Sequence, residues 1–326
     1  MAAASGVSPA TVSLVLREEP VVAAATRQRV LDVIDQIGYV YDRRAANMRS
    51  NRSMTIGLIV TDIRNPFFAE LSMAVEVVLQ ERGYALIQGY SRDDRAREDR
   101  MLGVMVEQRV DGVFLLPSKD TAAEHLQARL GSARIPHVLF ARRVAGYEAS
   151  YVGINNVRAG RLLAEHLATE GHRTVAFLGG PRSDARSDRL RGLRAGLKKH
   201  GLTVDENIVT SALREGGISA LEQLLAKGPL PDAIAAYSDN VALAVMSGLR
   251  AAGLEPGRDV SLAGFDDVPE AALQHPALTS VATYPERVGT EASRLLLEQI
   301  EQPDLEPRTV MLEPALSVRA STTTRA

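Results

Sequence analysis

The sequence contains no cysteine among its 326 residues. It therefore has neither a disulfide framework nor a thiolate metal site, as expected for a protein that works in a reducing cytoplasm. The first residues include neither the basic n-region nor the apolar h-region of a secretory signal. No apolar run approaches the ~20 residues that span a bilayer. We therefore expect a cytoplasmic location and no membrane partner.

The signatures of common enzyme classes are also missing. There is no Gly-x-Gly-x-x-Gly after a strand, no P-loop, no Gly-x-Ser-x-Gly elbow and no pair of histidine ligands. Gly179-Gly180-Pro181 is a strand-end turn that is too short to cradle a phosphate. The sequence therefore predicts a binding protein rather than an enzyme, with no catalytic residue, no metal site and no cofactor.

The formal net charge of −2 carries no information about nucleic acid, but the distribution of the charges does. Four arginines fall within residues 43–52, where there is no acidic residue. A solvated linker is the usual explanation of such a run. Ala45, Ala46 and Met48 interrupt the run at positions that a helix in the minor groove would use, which favours contact with DNA.

A short helix is predicted to begin at Ser8-Pro9. The Ser8 hydroxyl can accept a backbone N–H as the helix cap, and Pro9 suits the first helical position, where no N–H is needed. Val12 and Leu16 lie four residues apart and give the helix an apolar face. The hydroxyls suited to phosphate oxygens are those of Ser8, Thr11 and Ser13. A glycine turn before a serine-capped helix is how the second helix of a helix-turn-helix begins.

A further helix is predicted over residues 26–37. Val30, Ile34 and Ile37 are spaced for burial on one face, and Gly38 supplies the stop. The basic segment that follows, residues 42–52, is too short to form a stable helix by itself.

Together these residues resemble the DNA-binding and hinge segments of the lactose-repressor (LacI/GalR) family of bacterial transcription regulators. The matching phrases are Ala4-Ser5-Gly6-Val7-Ser8-Pro9-Ala10-Thr11-Val12-Ser13, Thr26-Arg27-Gln28-Arg29-Val30-Leu31, Gly38-Tyr39 and Ala45-Ala46-Asn47-Met48-Arg49. The resemblance continues to nearly the last residue. It implies that DNA is contacted by Ser8, Thr11, Ser13, Arg43, Ala45, Asn47 and Met48.

The resemblance also implies how the hinge works. The residue aligned with Met48 is usually a leucine that each subunit inserts into a central base step of the minor groove. We expect residues 43–49 to be disordered in the free protein and helical only on DNA. The expected partners are a pseudo-palindromic double-stranded operator and a second copy of the chain.

Three features of the head and hinge depart from the family pattern. Only residues 1–4 precede the first turn, so either the native start lies upstream or the first helix of the reader is incomplete. Leu14 stands where many relatives place an arginine that reads guanine, and leucine lacks its donors. Tyr41-Asp42 replaces the usual Pro-Asn before the hinge.

From residue 54 onward, strands alternate with helices. Residues 55–60 form the continuous apolar run typical of a strand buried on both faces of a parallel sheet. Repeated βαβ units wind into open sheets with helices on both sides. The resemblance implies two lobes like those of periplasmic binding proteins, with the chain returning to the first lobe near its end. We therefore predict an α/β protein with a helix-turn-helix head at 1–41, a hinge at 42–53, a first lobe at about 54–152 plus 281–326, and a second lobe at about 153–280.

Candidate effector residues follow the predicted strands, at the edge where ligands bind between such lobes. An aromatic ring can stack on a sugar, and for Phe67 this role and a core position are equally favoured, whereas Phe68 is expected in the core. Arg189 would be taken for a solvated arginine if the resemblance did not match it to the clamp on effector hydroxyls. Asp266 is the matching acceptor. Ser238 replaces a usual asparagine at a pocket position.

The sequence thus predicts a cytoplasmic, ligand-responsive transcription regulator, of the repressor type, that acts as a homodimer. Its effector is expected to be a sugar or a related small metabolite. The alternative is a two-lobed solute-binding protein without DNA-binding activity. Such a protein would need a secretory signal and would have no use for residues 5–52.

Overall fold

The computed structural model describes residues 2–16, 20–38 and 52–322, which divide between two compact units, Met1–Ser53 and Met54–Ala326. Most of the predicted hinge, residues 42–51, lies outside the described residues. Among the described helices, none is both long enough and apolar enough to cross a membrane.

Three helices form the first unit: α1 (Ala2–Ser5), α2 (Pro9–Leu16) and α3 (Ala24–Ile37). Ser8 caps α2 as predicted, because its hydroxyl accepts the backbone N–H of Thr11 at 3.1 Å. Val12 and Val15 of α2 pack on Val30 of α3 and form the buried centre of the unit. The apolar spacing read from the sequence therefore creates a small core between these two helices.

The helix α3 differs in two details from the prediction. It begins at Ala24, two residues earlier than predicted, and ends before Gly38, whose φ of 60° is a conformation that glycine adopts readily. Ile37 is 51% exposed, so its predicted burial is wrong, and Val33 is buried instead. Val33 lies three residues after Val30, whereas Ile37 is the last residue of the helix, three residues beyond Ile34, which packs against the core of this unit.

The first sheet of the second unit contains six strands. They are β1 (Thr55–Val60), β2 (Ala85–Tyr90), β3 (Gly112–Leu115), β4 (His137–Phe140), β5 (Ser150–Ile154) and β11 (Thr309–Leu312). All pair in parallel, in the order β11-β5-β4-β3-β1-β2. The helices of this lobe are α4 (Pro66–Glu81), α5 (Arg95–Glu107), α6 (Ala123–Leu126, continued by a π-helical turn at Gln127–Gly131) and α12 (Pro285–Glu301).

The second sheet also contains six strands: β6 (Thr174–Leu178), β7 (Thr203–Ile208), β8 (Ala233–Ala236), β9 (Ser261–Asp266), β10 (Thr279–Ala282) and β12 (Ala315–Ser317). Their order is β12-β10-β9-β8-β6-β7, and only the edge strand β12 runs antiparallel to its neighbour. The helices of this lobe are α7 (Asn156–Thr169), α8 (Asp184–Lys198), α9 (Arg214–Leu225), α10 (Asp239–Ala251) and α11 (Pro269–Ala272). A 3₁₀ turn, Ala320–Thr322, closes the described chain.

The chain crosses between the lobes three times, after Ile154, after Ala282 and after Leu312. This corrects the predicted lobe limits at both ends. The strand β5 extends the first sheet to residue 154, and both β10 and β12 belong to the second sheet, although residues 281–326 had been assigned to the first lobe. The physical reason is that an apolar run identifies a strand but carries no information about which sheet it joins.

Two glycines allow α7 and α8 to touch backbone to backbone. A Cβ atom on Gly160 would lie 2.0 Å from the carbonyl oxygen of Arg189, and one on Gly192 would lie 2.1 Å from that of Val157. No side chain larger than hydrogen fits at such a distance. The crossing holds Arg189, in the middle of α8, against the start of α7.

Candidate functional site

A cavity of about 290 Å³ lies between the lobes, where the carboxyl ends of strands from both sheets meet. Open α/β sheets bind their ligands at this position. From the first lobe, the cavity is lined by the charged residues Asp62, Arg64, Arg92, Asp93 and Arg142 and by the apolar residues Phe68, Leu116 and Ala141. From the second lobe, Pro181, Ala185, Ala212 and Leu213 supply apolar surface, and Ser183, Ser211 and Tyr237 supply hydroxyl groups.

Two of the three arginines on the first-lobe wall form ion pairs within that wall. Arg64 binds both carboxylate oxygens of Asp62, at 2.7 to 3.2 Å, and these hydrogen bonds lower the pKa of Asp62. Arg142 reaches the carboxylate of Asp93 at 2.6 Å. Arg92 is exposed, and within the described chain its guanidinium forms neither a hydrogen bond nor an ion pair. The wall therefore carries one unmatched positive charge.

Of the two phenylalanines after β1, Phe67 takes the core position that was one of its two expected roles, and Phe68 departs from its expected place in the core. Phe67 is 7% exposed and belongs to the core cluster of the first lobe, whereas Phe68 lines the cavity. Asn65 caps α4 by accepting the backbone N–H of Phe67 at 3.1 Å, which sets the rotation of the helix. Phe67 and Leu71 then lie on the buried face, so Phe68 is the aromatic side chain at the cavity wall.

Arg189 is buried rather than solvated. Its Nε donates to Asn156 Oδ1 at 2.9 Å, and its two terminal nitrogens donate to the carbonyl oxygen of Tyr237 at 2.5 Å and to Asp266 Oδ1 at 3.3 Å. The guanidinium also lies 5.1 Å from the centre of the Tyr237 ring. The structure thus brings Arg189 and Asp266 together, but directly behind Tyr237 rather than on the lining surface itself.

Asp266 is the last residue of β9 and is also buried. Its carboxylate accepts a hydrogen bond from the Thr283 hydroxyl at 3.2 Å in addition to that from Arg189. Burial raises the pKa of Asp266, while the positive charge of Arg189 opposes that increase. The carboxylate is therefore held between Arg189 and Thr283, which lies on the second crossover between the lobes.

Ser238 does not line the cavity, so its expected pocket position is wrong. It is 1% exposed and caps α10, with its hydroxyl accepting the backbone N–H of Val241 at 3.4 Å. Tyr237, one residue earlier, provides the lining surface at this point. Because Ser238 must turn inward to cap the helix, the preceding side chain in the extended segment turns outward.

Asp239 is a buried acid that the sequence reasoning missed. It is fully buried, and it accepts the Ser280 hydroxyl at 2.6 Å and the backbone N–H of Val268 at 3.0 Å. Burial, with a smaller effect from the charge of Asp266, raises the pKa of Asp239 well above its ordinary value. A Cβ atom on Gly264 would lie 2.0 Å from one of its oxygens. The only available signal was an acid at the first position of a helix directly after a buried strand.

Arg186 is a second buried arginine of α8, one turn before Arg189. Its acceptors are all neutral: the carbonyl oxygens of Gly179 and Ile208, at 2.8 and 3.0 Å, and Asn207 Oδ1 at 2.7 Å. Burial lowers the pKa of Arg186 to about 10. The residue thus remains positively charged at neutral pH without a carboxylate partner.

The candidate DNA-contacting residues are only partly within the described chain. Ser8 is exposed, and its hydroxyl lies 3.0 Å from that of Thr11, while Ser13 is partly exposed on the same helix. Arg43, Ala45, Asn47 and Met48 lie outside the described residues. Of the seven predicted DNA-contacting residues, the structure therefore describes only the three at the start of the recognition helix.

The cleft has the chemistry of a binding site. It offers paired charges, hydroxyl groups and the aromatic faces of Phe68 and Tyr237, which suit a small polar ligand with an apolar face. Over residues 2–16, 20–38 and 52–322, no group of three or more histidine, aspartate or glutamate side chains could hold a metal ion.

Two family models match the chain. The one described as bacterial regulatory proteins, lacI family, matches residues 1–42, and the one described as periplasmic binding protein-like domain matches residues 164–322. The HTH-type transcriptional regulator CelR of Thermobifida fusca is 35% identical over an alignment of 331 residues, which covers 98% of this chain and 96% of that protein. The similarity therefore extends over essentially the whole of both chains.

Solved structures give the same result. A CelR–cellobiose complex matches with a TM-score of 0.74 and 33% identity, covering 98% of both chains. A lac repressor dimer bound to operator and the anti-inducer ONPF matches with a TM-score of 0.85 and 22% identity, covering 99% of this chain and 97% of that one. At that lower identity the match concerns the fold alone.

Proposed function

The chain belongs to the lacI family of bacterial regulatory proteins. We propose that it is a transcriptional repressor whose affinity for operator DNA is controlled by a small molecule bound in the interlobe cleft. The observation that carries the proposal is the buried Arg189–Asp266 pair behind that cleft. Both side chains are buried, and the Arg189 guanidinium contacts Tyr237, which lines the cavity. We place its action in the cytoplasm and assign it no catalytic step.

The effector is a sugar or a related small metabolite. The cavity volume of about 290 Å³ suits a ligand of that size. Phe68 and Tyr237, from opposite lobes, offer aromatic faces on which the C–H face of a sugar ring stacks well. The similarity to CelR, whose complex with cellobiose has been solved, supports the same ligand class.

The effector acts by changing the relation between the lobes. Asn156, at the first crossover, is hydrogen bonded to Arg189. Thr283, at the second crossover, is hydrogen bonded to Asp266. A ligand that changes the hydrogen bonds of Arg189 or Asp266 would therefore also change the contacts of a crossover. The ligand can shift the equilibrium only by binding one lobe arrangement better than the other. The hinge segments would transmit that shift to the head.

DNA is bound through the helix-turn-helix and the hinge. Ser8, Thr11 and Ser13 would contact phosphates at the start of the recognition helix, as the exposed hydroxyl of Ser8 allows. Arg43, Ala45 and Asn47 would hold the hinge in the minor groove, and Met48 would wedge into a base step. A solute-binding protein would have no use for these residues, and the match of residues 1–42 to the lacI family disfavours that alternative.

The repressor acts as a homodimer. On α4, Met73 and Val77 are 70% and 52% exposed and lie four residues apart, on one face of the helix. In the second lobe, Leu273 is 74% exposed. Exposed apolar side chains grouped on one helix face are typical of an interface, and a two-fold contact would bury each such patch against its copy.

The test is binding of the full chain to a randomised operator library, followed by a metabolite screen. We expect selection of a pseudo-palindromic site, and thermal-shift hits that release or strengthen the complex in a mobility-shift assay. Failure to enrich any DNA sequence at low salt would contradict the repressor role. Enrichment without any responsive metabolite would contradict the effector role alone.

A further inference from the structure

The positive charge of Arg92 is not compensated on the first-lobe wall. The wall carries three arginines and two aspartates, and the two ion pairs Arg64–Asp62 and Arg142–Asp93 use all the carboxylates. The charge of Arg92 acts weakly on Asp62, but both Asp62 oxygens are already bound by Arg64. A ligand in the cavity therefore meets one more cation than anion.

The second-lobe wall adds no negative charge among the residues the structure describes. Its lining side chains are apolar or bear a hydroxyl group. Arg182 and Asp184 are both exposed beside the lining residue Ser183 and have opposite charges, so they do not change the balance. Arg186 lies buried behind them with neutral acceptors only. The second-lobe side therefore leaves the charge of Arg92 uncompensated.

The acids that lie deeper do not offset this excess. Asp266 is matched by Arg189, and burial raises the pKa of Asp239 well above its ordinary value. Glu270 and Glu286 act electrostatically on Glu70, and Glu215 acts on the lining residue Arg64, but none of these four glutamates lines the cavity. Taken over its described lining, the cleft is therefore a cationic pocket with two aromatic faces.

We propose that the effector is an anionic carbohydrate derivative, with a carboxylate or phosphate group that binds Arg92. This deepens the proposed function, on which it rests, by naming the ligand's charge. The anionic oxygens accept hydrogen bonds from the free guanidinium, and the ring packs between Phe68 and Tyr237. The serine hydroxyls of the second wall, Ser183 and Ser211, are further donors to the same group.

The test compares matched sugars on the full chain by calorimetry: glucose, glucuronate and glucose 6-phosphate; ribose and ribose 5-phosphate; cellobiose and cellobionate. In at least one set, the anionic sugar should bind about tenfold more tightly than its neutral parent at low salt. The advantage should shrink as ionic strength rises, because Arg92 is solvent-exposed. Comparison of the carboxylate-bearing sugars with the phosphate-bearing sugars shows which anionic group is recognised.

Two variants assign the effect to one side chain. Arg92→Gln should remove the advantage of the anionic sugar over its neutral parent, measured as the ratio of their two affinities for the same variant. Arg134→Gln is the matched control, because Arg134 is also an exposed first-lobe arginine with positive φ (50° against 53°) and does not line the cavity. It should retain the full advantage.

The proposal is overturned if neutral sugars bind as tightly as their anionic partners, if no anionic sugar binds, or if Arg92→Gln keeps the preference. A neutral sugar that binds and releases operator would overturn this proposal and leave the proposed function intact. Absence of operator binding both with and without each sugar would instead count against the proposed function.

Discussion

Asp239 is the side chain whose surroundings most oppose its ionisation. It accepts the Ser280 hydroxyl and the Val268 N–H, and the nearest charges are those of Asp266 and Asp267, both negative. Its folded-state pKa lies above the unfolded-state value of 3.8. The stability it contributes is therefore complete below about pH 3.8 and is lost as the pH rises through the folded-state pKa.

Asp239→Asn should remove this pH dependence. An amide can still accept the Val268 N–H and can donate to the Ser280 hydroxyl, so the hydrogen bonds of the uncharged acid are preserved. Relative to the unmodified chain, the free energy of unfolding of the variant should rise as the pH is raised from 3.8 in a series of urea titrations. Asp239→Ala is the control, and it should cost about 1–3 kcal/mol at the acidic end of the series because two buried partners lose their acceptor.

Arg189 and Asp266 should be coupled in stability as well as in effector binding. Arg189→Ala leaves a buried carboxylate without its cation, which typically costs about 3–5 kcal/mol. The double variant with Asp266→Ala should lose less than the sum of the two single losses. Urea unfolding of the four proteins of this cycle measures the coupling energy. Additive losses would show that the two charges do not support each other.

Effector residues illustrate what the sequence could and could not predict. The choice of Arg189 depended on the family resemblance, because the sequence around it also contains Arg186, Arg191 and Arg194, and its ion pair with Asp266 was not predicted. Which of Phe67 and Phe68 lines the cavity was not predictable, since neighbouring helical positions differ by about 100° of rotation, which tertiary packing sets. The cap role of Ser238 likewise depends on where α10 begins.

The bounds of individual helices and strands were predictable where the local sequence marks them, as an apolar run or a helix cap does. Residues 55–60 form β1 as predicted from their apolar run, and α4 spans Pro66–Glu81 because Asn65 caps it and Pro66 suits its first turn. A local signal of this kind is missing for β7, Thr203–Ile208. Its polar, alternating sequence reflects an edge strand with one exposed face, which an apolar-run criterion overlooks.

The helix α4 carries the prediction on assembly. Replacing Met73 and Val77 together by Asp places two charges on the exposed apolar face of α4 and should shift the protein from dimer to monomer. Light scattering at micromolar concentration measures the mass directly. Val318→Asp is the control, because Val318 is 59% exposed but follows β12 at another edge of the fold. An unchanged dimer in the double variant would exclude α4 from the interface.

At the scale of the whole molecule, operator and effector binding are predicted to be separable. Met48→Asp should abolish specific operator binding, because a charged side chain cannot wedge into a base step. Effector affinity should be unchanged, since Met48 belongs to the head unit and the cavity to the other unit. Mobility-shift and calorimetric titrations of the same preparation compare the two. Tight operator binding by the variant would rule out intercalation by this residue.

The three crossovers also constrain the order in which a nascent chain can fold. The edge of β5 pairs with β11, which leaves the ribosome roughly 150 residues later, or about 10–30 s at ordinary rates of synthesis. During that interval, the second lobe is synthesised almost completely while the first sheet still lacks its last strand and α12. The β5 edge therefore presents unpaired backbone groups until β11 has been synthesised.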